Sequence, residues 1–304
     1  MKFSFFNGAK RQYKSITDMD LGAYKTGLIR TFKLIPSDLS PAVLLSHSGL
    51  LNMSYFFNDN VFIIRDCYMG EEYFYPPVFT GKYSISSFEK LYKQGSVITA
   101  VPEEMLSLFK TAFGDSLEIK EIPYLHDYIV ENSALSNCEG GEYKSIRQAK
   151  NRFWKDTGAY VKDINDVPPK KIHEFNERIV SEMIKKAPDN EGLVHEKIIF
   201  ETLLEMLHNG GKSLDGIAIM LGQVILAFTI NDIISAYSVA AYAKMDHAHK
   251  DIGPALASSD AGHQLKQGIR YCNLMADEGE ENLKQSKMLL RPCQILKKYE
   301  IKIL

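Results

Sequence analysis

The strongest constraint on the fold of this chain is the order of its hydrophobic patterns beyond Lys171. Lys171 to Lys186 carries Ile172, Phe175, Ile179 and Met183 at three- and four-residue spacing, which predicts an amphipathic helix. Glu196 to Leu207 repeats that pattern with Ile199, Leu203 and Met206, and Asn209–Gly210–Gly211 supplies a C-terminal cap. The period then changes to that of strands. Asp215–Met220 and Val224–Ile230 flank the turn residues Leu221–Gly222–Gln223 as a hairpin, and Asp232 leads into a third strand over Ile234–Met245. Gly253–Leu265 reads as a helix, Ile269–Leu274 as a strand, Glu280–Leu289 as a helix and Ile295–Ile303 as a closing edge strand. A sheet with helices inserted in this order belongs to a few α+β folds. No short fixed repeat is present, which argues against a solenoid.

The first half also mixes strands and helices. Asp18–Phe32 reads as a short helix, with Pro36 and Pro41 bracketing a break. Leu50–Phe57 and Val61–Tyr68 read as strands around Asn58–Asp59–Asn60, continuing into Glu72–Tyr75. Ser86–Lys93 is helical in pattern, Val97–Ala100 a strand, and Glu103–Phe113 a helix with acidic residues in its first turn. With 304 residues the chain exceeds the usual single domain, and similar element order in both halves divides it into an N-terminal unit, 1–130, and a C-terminal unit, 131–304. The fold class expected is α+β.

Charge and cysteine usage narrow the functional classes. Thirty-six basic residues against thirty-eight acidic ones give a formal charge of −2, so the surface as a whole is not built for DNA, although a local basic groove is allowed. Cys67, Cys138, Cys272 and Cys293 lie far apart without a CxxC pair, which predicts neither a disulfide scaffold nor a zinc knuckle. The N-terminal stretch lacks the apolar run of a signal peptide, and no segment has the uncharged length of a membrane helix. The expected location is the reducing cytoplasm.

Motifs for chemistry are sparse. No GxGxxG or complete phosphate loop occurs, and Gly210–Gly211–Lys212–Ser213 follows a helix where that mechanism needs a strand. Asp246, His247, His249 and Asp251 read as a solvated loop lacking a third metal ligand, His195 has no partner histidine one turn on, and no G-x-S-x-G is present. No metal site is expected. The stretch Tyr143–Lys155 combines Arg147, Lys150 and Arg152 with Phe153 and Trp154. It reads either as a surface for a phosphorylated ligand or as a helix with Ile146, Ala149 and Phe153 inward and its bases in water. A second anion site is suggested by the basic run from Glu281 to Leu304, with Gly253 ahead of a helix.

These segments carry a resemblance. Asp127–Tyr128–Ile129 followed by Leu135, Gly141, Tyr143, Arg147 and Asn151–Arg152–Phe153 resembles the stretch leading into the second domain of bacterial proteins similar to the C-terminal domain of phosphatidylglycerol lysyltransferase. Gly216–Phe228 is similar to that family's hairpin, and Lys244, Gly253, Asn273, Asp277, Gly279, Leu283, Lys287 and Pro292 to its closing motif. The resemblance spans about Tyr55 to Tyr299 and implies two tandem acyltransferase-like (GNAT-type) domains, each a mixed, mostly antiparallel sheet flanked by helices. It implies transfer of an acyl or aminoacyl group to an amine or hydroxyl. The donor would be acyl-coenzyme A or aminoacyl-tRNA, with no tightly bound cofactor. Transfer RNA and peripheral contact with an anionic lipid are the partners to consider; oligomeric state is not legible.

Within that frame Glu196 and Glu201, with Asp277, are candidate bases, and Tyr271 or Tyr242 candidate proton donors. Arg147, Lys150, Arg152, Lys244, Gly253, Asn273 and Lys287 are candidate ligand-binding residues. The chain departs from the family at Ile146–Arg147–Gln148, Ala241, Ala243, Met275, Asn282, Lys284 and Leu290. The departures at Ala241, Ala243 and Met275 favour the alternative, a catalytically inactive relative that binds an anionic ligand or a partner protein.

Overall fold

The computed structural model describes residues 12–58, 60–68, 70–209 and 213–304, and in it short polar residues or prolines set the starts of several helices. The first half runs β1 (Lys14–Ser15), α1 (Leu21–Thr31), α2 (Pro41–Leu51), β2 (Ser54–Asn58), β3 (Val61–Tyr68), β4 (Glu71–Phe74), β5 (Val78–Phe79), α3 (Ile85–Glu89), β6 (Val97–Pro102), α4 (Leu106–Phe113), β7 (Leu117–Glu121) and β8 (Asp127–Glu131). The second runs α5 (Asn132–Asn137), α6 (Lys144–Thr157), β9 (Tyr160–Asp163), α7 (Pro169–Lys186), α8 (Glu191–Asn209), β10 (Leu214–Asp215), β11 (Ile217–Leu221), β12 (Val224–Ile234) and β13 (Tyr237–Met245). It closes with α9 (Ile252–Lys266), β14 (Tyr271–Asn273), α10 (Glu281–Leu289), β15 (Gln294–Leu296) and β16 (Lys298–Ile303).

Asp20 caps α1 through the Ala23 amide, and Ser40 caps α2 with Pro41 in its first turn. Pro41 therefore starts a helix. That helix runs through Leu51, so the strand expected from Leu50 begins only at Ser54. α2 is apolar nearly all round and buries Ala42, Val43 and Leu44, a pattern that over a short window reads equally well as a strand. The expected cap at Gly210–Gly211, Asp59 of the expected turn and the first eleven residues lie outside the described residues.

Two eight-stranded sheets result, each mixed but mostly antiparallel and flanked by helices. The first has the order β1-β2-β3-β4-β6-β16-β7, with β5 on β3; the second has β15-β8-β14-β13-β12-β11-β9, with β10 on β12. Each contains one parallel pair, β4 with β6 and β13 with β14. The segment Ile295–Ile303 is not one edge strand. It is β15, on the edge of the second sheet, and then β16, which crosses into the first sheet and pairs with β6 and β7 on both sides. Reciprocally, β8 leaves the first half to pair with β14 and β15 in the second sheet.

The two sheets share packing as well as strands. Tyr24, Leu28, Phe62, Phe88 and Phe109 form one core with Ile234, Tyr237 and Val239 of the second sheet. α7 and α8 cover that sheet further along through Phe175, Ile179, Phe200, Leu203 and Phe228. α6 and α9 pack on the opposite face through Phe153, Ile219, Leu226 and Leu256. Between Ile35 and Ala42 the chain crosses the second sheet on two buried carboxylates. Asp127 accepts bonds from Ser37 N and Oγ (2.8 and 2.7 Å), Asn273 Nδ2 (2.8 Å) and Lys298 Nζ (2.7 Å). Asp232 accepts from Ser40 Oγ (2.7 Å), the Ala42 amide (2.9 Å) and Lys25 Nζ (2.9 Å), adding a negative charge at the N-terminus of α2.

Candidate functional site

β13 and β14 stay in register for three pairs, Tyr237 to Val239 against Tyr271 to Asn273. Beyond them the strands part. β13 continues to Met245 against β12, with a bulge: Val239 lies opposite Asp232, but Tyr242 lies opposite Ile230. One extra residue on β13 restarts the alternation, so Tyr242 and Lys244 emerge on the face that Tyr237 and Val239 occupy. That is the face covered by α7 and α8.

The helices supply polar partners there from positions that would otherwise be apolar. On α7, Asn176 falls within the buried stripe of Ile172, Phe175, Ile179 and Val180 and is itself fully buried. On α8, Glu196 falls one turn from Leu193 and Phe200, on the stripe that faces the sheet. Tyr242 Oη lies 2.7 Å from Glu196 Oε1 and 2.9 Å from Asn176 Oδ1. One phenolic proton serves one acceptor, and the carboxylate is the stronger. Turning the Asn176 amide by half a turn would place its otherwise unpartnered Nδ2 on the phenol oxygen. Lys244 completes the network as an ion pair with Glu196, its amine 5.6 Å from the Tyr242 ring centroid. Burial, followed by the Glu196 charge, pushes the Tyr242 phenol far up, so at neutral pH it is a proton donor.

A second network stands past the end of β14. Asp277, nearly buried, accepts from the Tyr128 phenol and from the Gly279 amide (2.8 Å). Burial and Asp277 together raise the Tyr128 phenol well above its ordinary value. Lys287 on α10 donates to the Ala276 carbonyl and lies 5.9 Å from the Tyr128 ring centroid. Desolvation pulls the Lys287 amine down to about 8, against the opposing pull of Asp127, Glu278 and Asp277. His47 on α2 faces the same region: burial lowers its imidazole, opposed by the Val43 carbonyl and by Glu278 and Asp38. Asn273 links the two halves, donating to Asp127 and to the Ile35 carbonyl (3.0 Å) and accepting from Met275 N (2.7 Å).

Lys287 gives a direct test of this electrostatic reading. At pH 8 about half of an amine with that pKa is neutral, against under roughly 1% for an ordinary lysine. Trace acetylation followed by peptide mass analysis is expected to label Lys287 at least about tenfold faster than ordinary lysines. Its rate should level off above pH 8 while theirs keep rising. A Lys287 rate that still climbs at pH 10 would contradict the desolvation argument.

The remaining expected residues are placed differently. Arg147 spends its guanidinium on the Cys138 carbonyl and on the Gly140 carbonyl (3.2 Å), at the end of α5. Lys150 bonds Ser136 O (3.0 Å) and Ser258 Oγ (2.9 Å), tying α6 to α5 and α9. Arg152 pairs with Asp251 at 2.5 Å, and Asp251 sits in a left-handed conformation just ahead of α9. Gly253 is not required by crowding, since a Cβ there would meet Met245 Sδ at an ordinary 3.6 Å. Glu201 is exposed and pairs with His173 at 2.9 Å. Tyr271 is half-buried, with the Arg270 guanidinium 4.9 Å from its ring centroid. Asp246, from the His-rich loop, accepts from Arg178 (2.9 Å) and from the Ala248 amide (3.0 Å).

Of the residues expected from sequence, the fold thus brings Glu196 and Lys244 together on one side of the parted strands, and Asn273, Asp277 and Lys287 near one another on the other. Asn176, Tyr128, His47, Asp38 and Lys298 were missed. Asn176 and Tyr128 had a signal, a polar group on a buried stripe and an aromatic in a strand next to a buried acid; for the others nothing local distinguishes them. Among the described residues, no helix is long and apolar enough to cross a membrane.

Comparison with known proteins agrees with the architecture. No protein-family model matches the chain, and no curated protein matches it in sequence. A conserved protein of unknown function from Bacteroides thetaiotaomicron VPI-5482 has a similar structure: TM-score 0.84, 21% identity, covering 97% of this chain and 100% of the other. The C-terminal DUF2156 domain of a candidate lysylphosphatidylglycerol synthetase from Agrobacterium fabrum matches with TM-score 0.63 and 12% identity over 93% of this chain and 92% of the other. L-PGS from Bacillus licheniformis matches with TM-score 0.61 and 14% identity over 93% of this chain and 91% of the other. At these identities the likeness is one of fold: two acyltransferase-like (GNAT-type) sheets in tandem.

Proposed function

We propose that the chain is an acyl- or aminoacyl-transferase built from two units, 1–130 and 131–304, that exchange one strand each, and that it acts where β13 and β14 part. The parting carries the reading. Past Val239, β13 leaves the pairing with β14, so its main chain on that side has no strand partner in β14 and can meet an incoming donor. Beside it Glu196, held by Lys244 and Tyr242, is a positioned carboxylate suited to take a proton from an acceptor amine or hydroxyl. Tyr242, kept protonated, can return one to the leaving group.

An aminoacyl-tRNA is the preferred donor over acyl-coenzyme A. The helix start where a pyrophosphate would sit in front of α9 carries Asp251, which holds the Arg152 guanidinium in an ion pair and so occupies the cation that an anion there would need. An anionic lipid is one acceptor consistent with the relatives' descriptions. A binding-only role is the second reading, favoured by the departures at Ala241, Ala243 and Met275; with Arg147, Lys150 and Arg152 committed to internal partners, it points to a partner protein rather than an anionic ligand.

The test is donor turnover. The purified chain is incubated with a pool of aminoacyl-tRNAs or with acyl-coenzyme A, amine and hydroxyl acceptors are added, and donor loss is followed. Glu196→Gln is expected to lower kcat by roughly 10²–10⁴-fold, and Tyr242→Phe by less, with the folds intact by circular dichroism. Binding of a donor with no turnover would leave the binding-only reading. Turnover unchanged in Glu196→Gln would remove the carboxylate from the mechanism.

A further inference from the structure

A second cluster of chemistry-bearing side chains lies outside the proposed site. Asp163 ends β9, Asp215 ends β10, and His263 and Gln267 stand one turn apart at the end of α9. One ligand atom from each of Asp163, Asp215 and His263 can be chosen so that all three lie within 4.8 Å of one another. Bonds of about 2.0–2.2 Å to a central ion need ligand atoms no more than about 4.4 Å apart, so the three groups stand at, or a small inward shift from, ligating distance. These residues come from three elements that no sequence spacing connects.

Three polar groups crowd the centre of this cluster. His263 Nε2 lies 2.8 Å from Asp215 Oδ2, Gln267 Nε2 lies 2.5 Å from the same oxygen, and the two nitrogens are 2.9 Å apart. If Nε2 carries a proton, His263 and Gln267 both donate to Asp215 Oδ2 and their nitrogens are left in a 2.9 Å contact with no hydrogen bond between them. If it is bare it accepts from Gln267 and sets its lone pair against the carboxylate. Turning the Gln267 amide over sets its oxygen against the carboxylate instead. No assignment satisfies all three contacts, whereas a cation would accept a lone pair from each of Asp215, His263 and a turned Gln267. Asn165, whose Nδ2 lies 3.1 Å from Asp163 Oδ1 and 3.4 Å from Asp215 Oδ1, offers a further carboxamide oxygen on the same turn of the amide.

We infer that Asp163, Asp215 and His263, with the carboxamide of Gln267, form a binding site for a divalent first-row transition ion. The imidazole selects against calcium and magnesium, and the oxygen-rich remainder suits zinc or manganese. Bound there, the ion fastens β9 and β10 to the C-terminal end of α9. The site is independent of the transferase reading, since none of its ligands belongs to the proposed machinery.

The experiment uses the full chain stripped with EDTA and dialysed, then melted with Zn²⁺ or Mn²⁺ and, as controls, Ca²⁺ or Mg²⁺. At about a hundredfold over Kd, zinc or manganese is expected to raise Tm by roughly 4 °C for a chain of this length. Calorimetric titration should give one ion per chain. Asp163→Asn, a mild change at a half-exposed position, should weaken binding at least about tenfold, and His263→Ala should abolish it. Should His263→Ala fail to fold, Gln267→Ala is measured beside Asp163→Asn. Absence of a shift in the unaltered chain, a shift that survives Asp163→Asn and the second variant undiminished, or an equal response to calcium or magnesium would each overturn the inference.

Discussion

Replacing Lys298 by methionine is expected to lower the unfolding free energy by about 3–5 kcal/mol, read from the midpoint of urea unfolding at pH 7. The amine is fully buried, as is Asp127, to which it donates at 2.7 Å; it also pairs with Asp38 and lies 3.2 Å from Ser37 Oγ. Burial alone would pull the Lys298 amine down, but Asp127 and Asp38 outweigh it and hold it above the ordinary lysine value. A raised amine stabilises the fold throughout the range below the unfolded lysine value, and that contribution is lost only as pH climbs through the higher folded one. Methionine fills the space but leaves Asp127 charged and short of one donor. Adding Asp127→Asn to Lys298→Met removes that stranded charge, so the double variant should be more stable than the sum of the two single losses predicts. A single variant with an unchanged midpoint would mean that the junction does not depend on this pair.

Ending the chain at Lys297 is expected to abolish cooperative unfolding altogether. β16 pairs with β6 on one side and β7 on the other, and its Ile301 and Ile303 are buried in the first core. Beyond the ladders, the Gly95 amide donates to Ile303 O (2.7 Å) and Ile303 N to Ser96 O (3.0 Å). Removing an interior strand leaves two unpaired edges facing each other across an emptied apolar slot, a state prone to pair with other chains. Thermal melting by circular dichroism and size-exclusion chromatography would show broad, non-cooperative loss of signal and aggregates. A synthetic Lys298–Leu304 peptide added during refolding should restore part of the transition. A soluble truncated chain melting sharply near the full-length Tm would show that β6 and β7 can close on their own.

The parts of the fold legible in sequence were those whose evidence is local. α7 and α8 follow their apolar spacing, and the hairpin of β11 and β12 follows from its turn residues. Strand partners are a different kind of information. β15 and β16 are separated by Lys297 alone, and their residues alternate as one strand would, yet they belong to different sheets. The short β10 and the two-turn α5 fall below the length at which periodicity is readable.

The same distinction divides the site. Glu196 and Lys244 were identifiable as residue types, and the fold joins them through a bulge that no pattern signals. Arg147 and Lys150 read as free bases because the carbonyls that occupy them, at Cys138, Gly140 and Ser136, belong to a helix end not visible as such. Asp163, Asp215 and His263 carried no sequence signal, since three separate elements bring them together.

The exchange of β8 and β16 also fixes when this protein can fold as it is made. By the time Glu121 has been synthesised the first sheet has every strand but one, and that one is encoded at the far end of the chain. At typical elongation rates roughly 10–35 s pass before Lys298 to Ile303 exist. Through that interval β6 and β7 flank an unfilled slot, while β8 waits for β14 and β15. The nascent first half therefore exposes open sheet edges until the strand that joins β6 to β7 has been made.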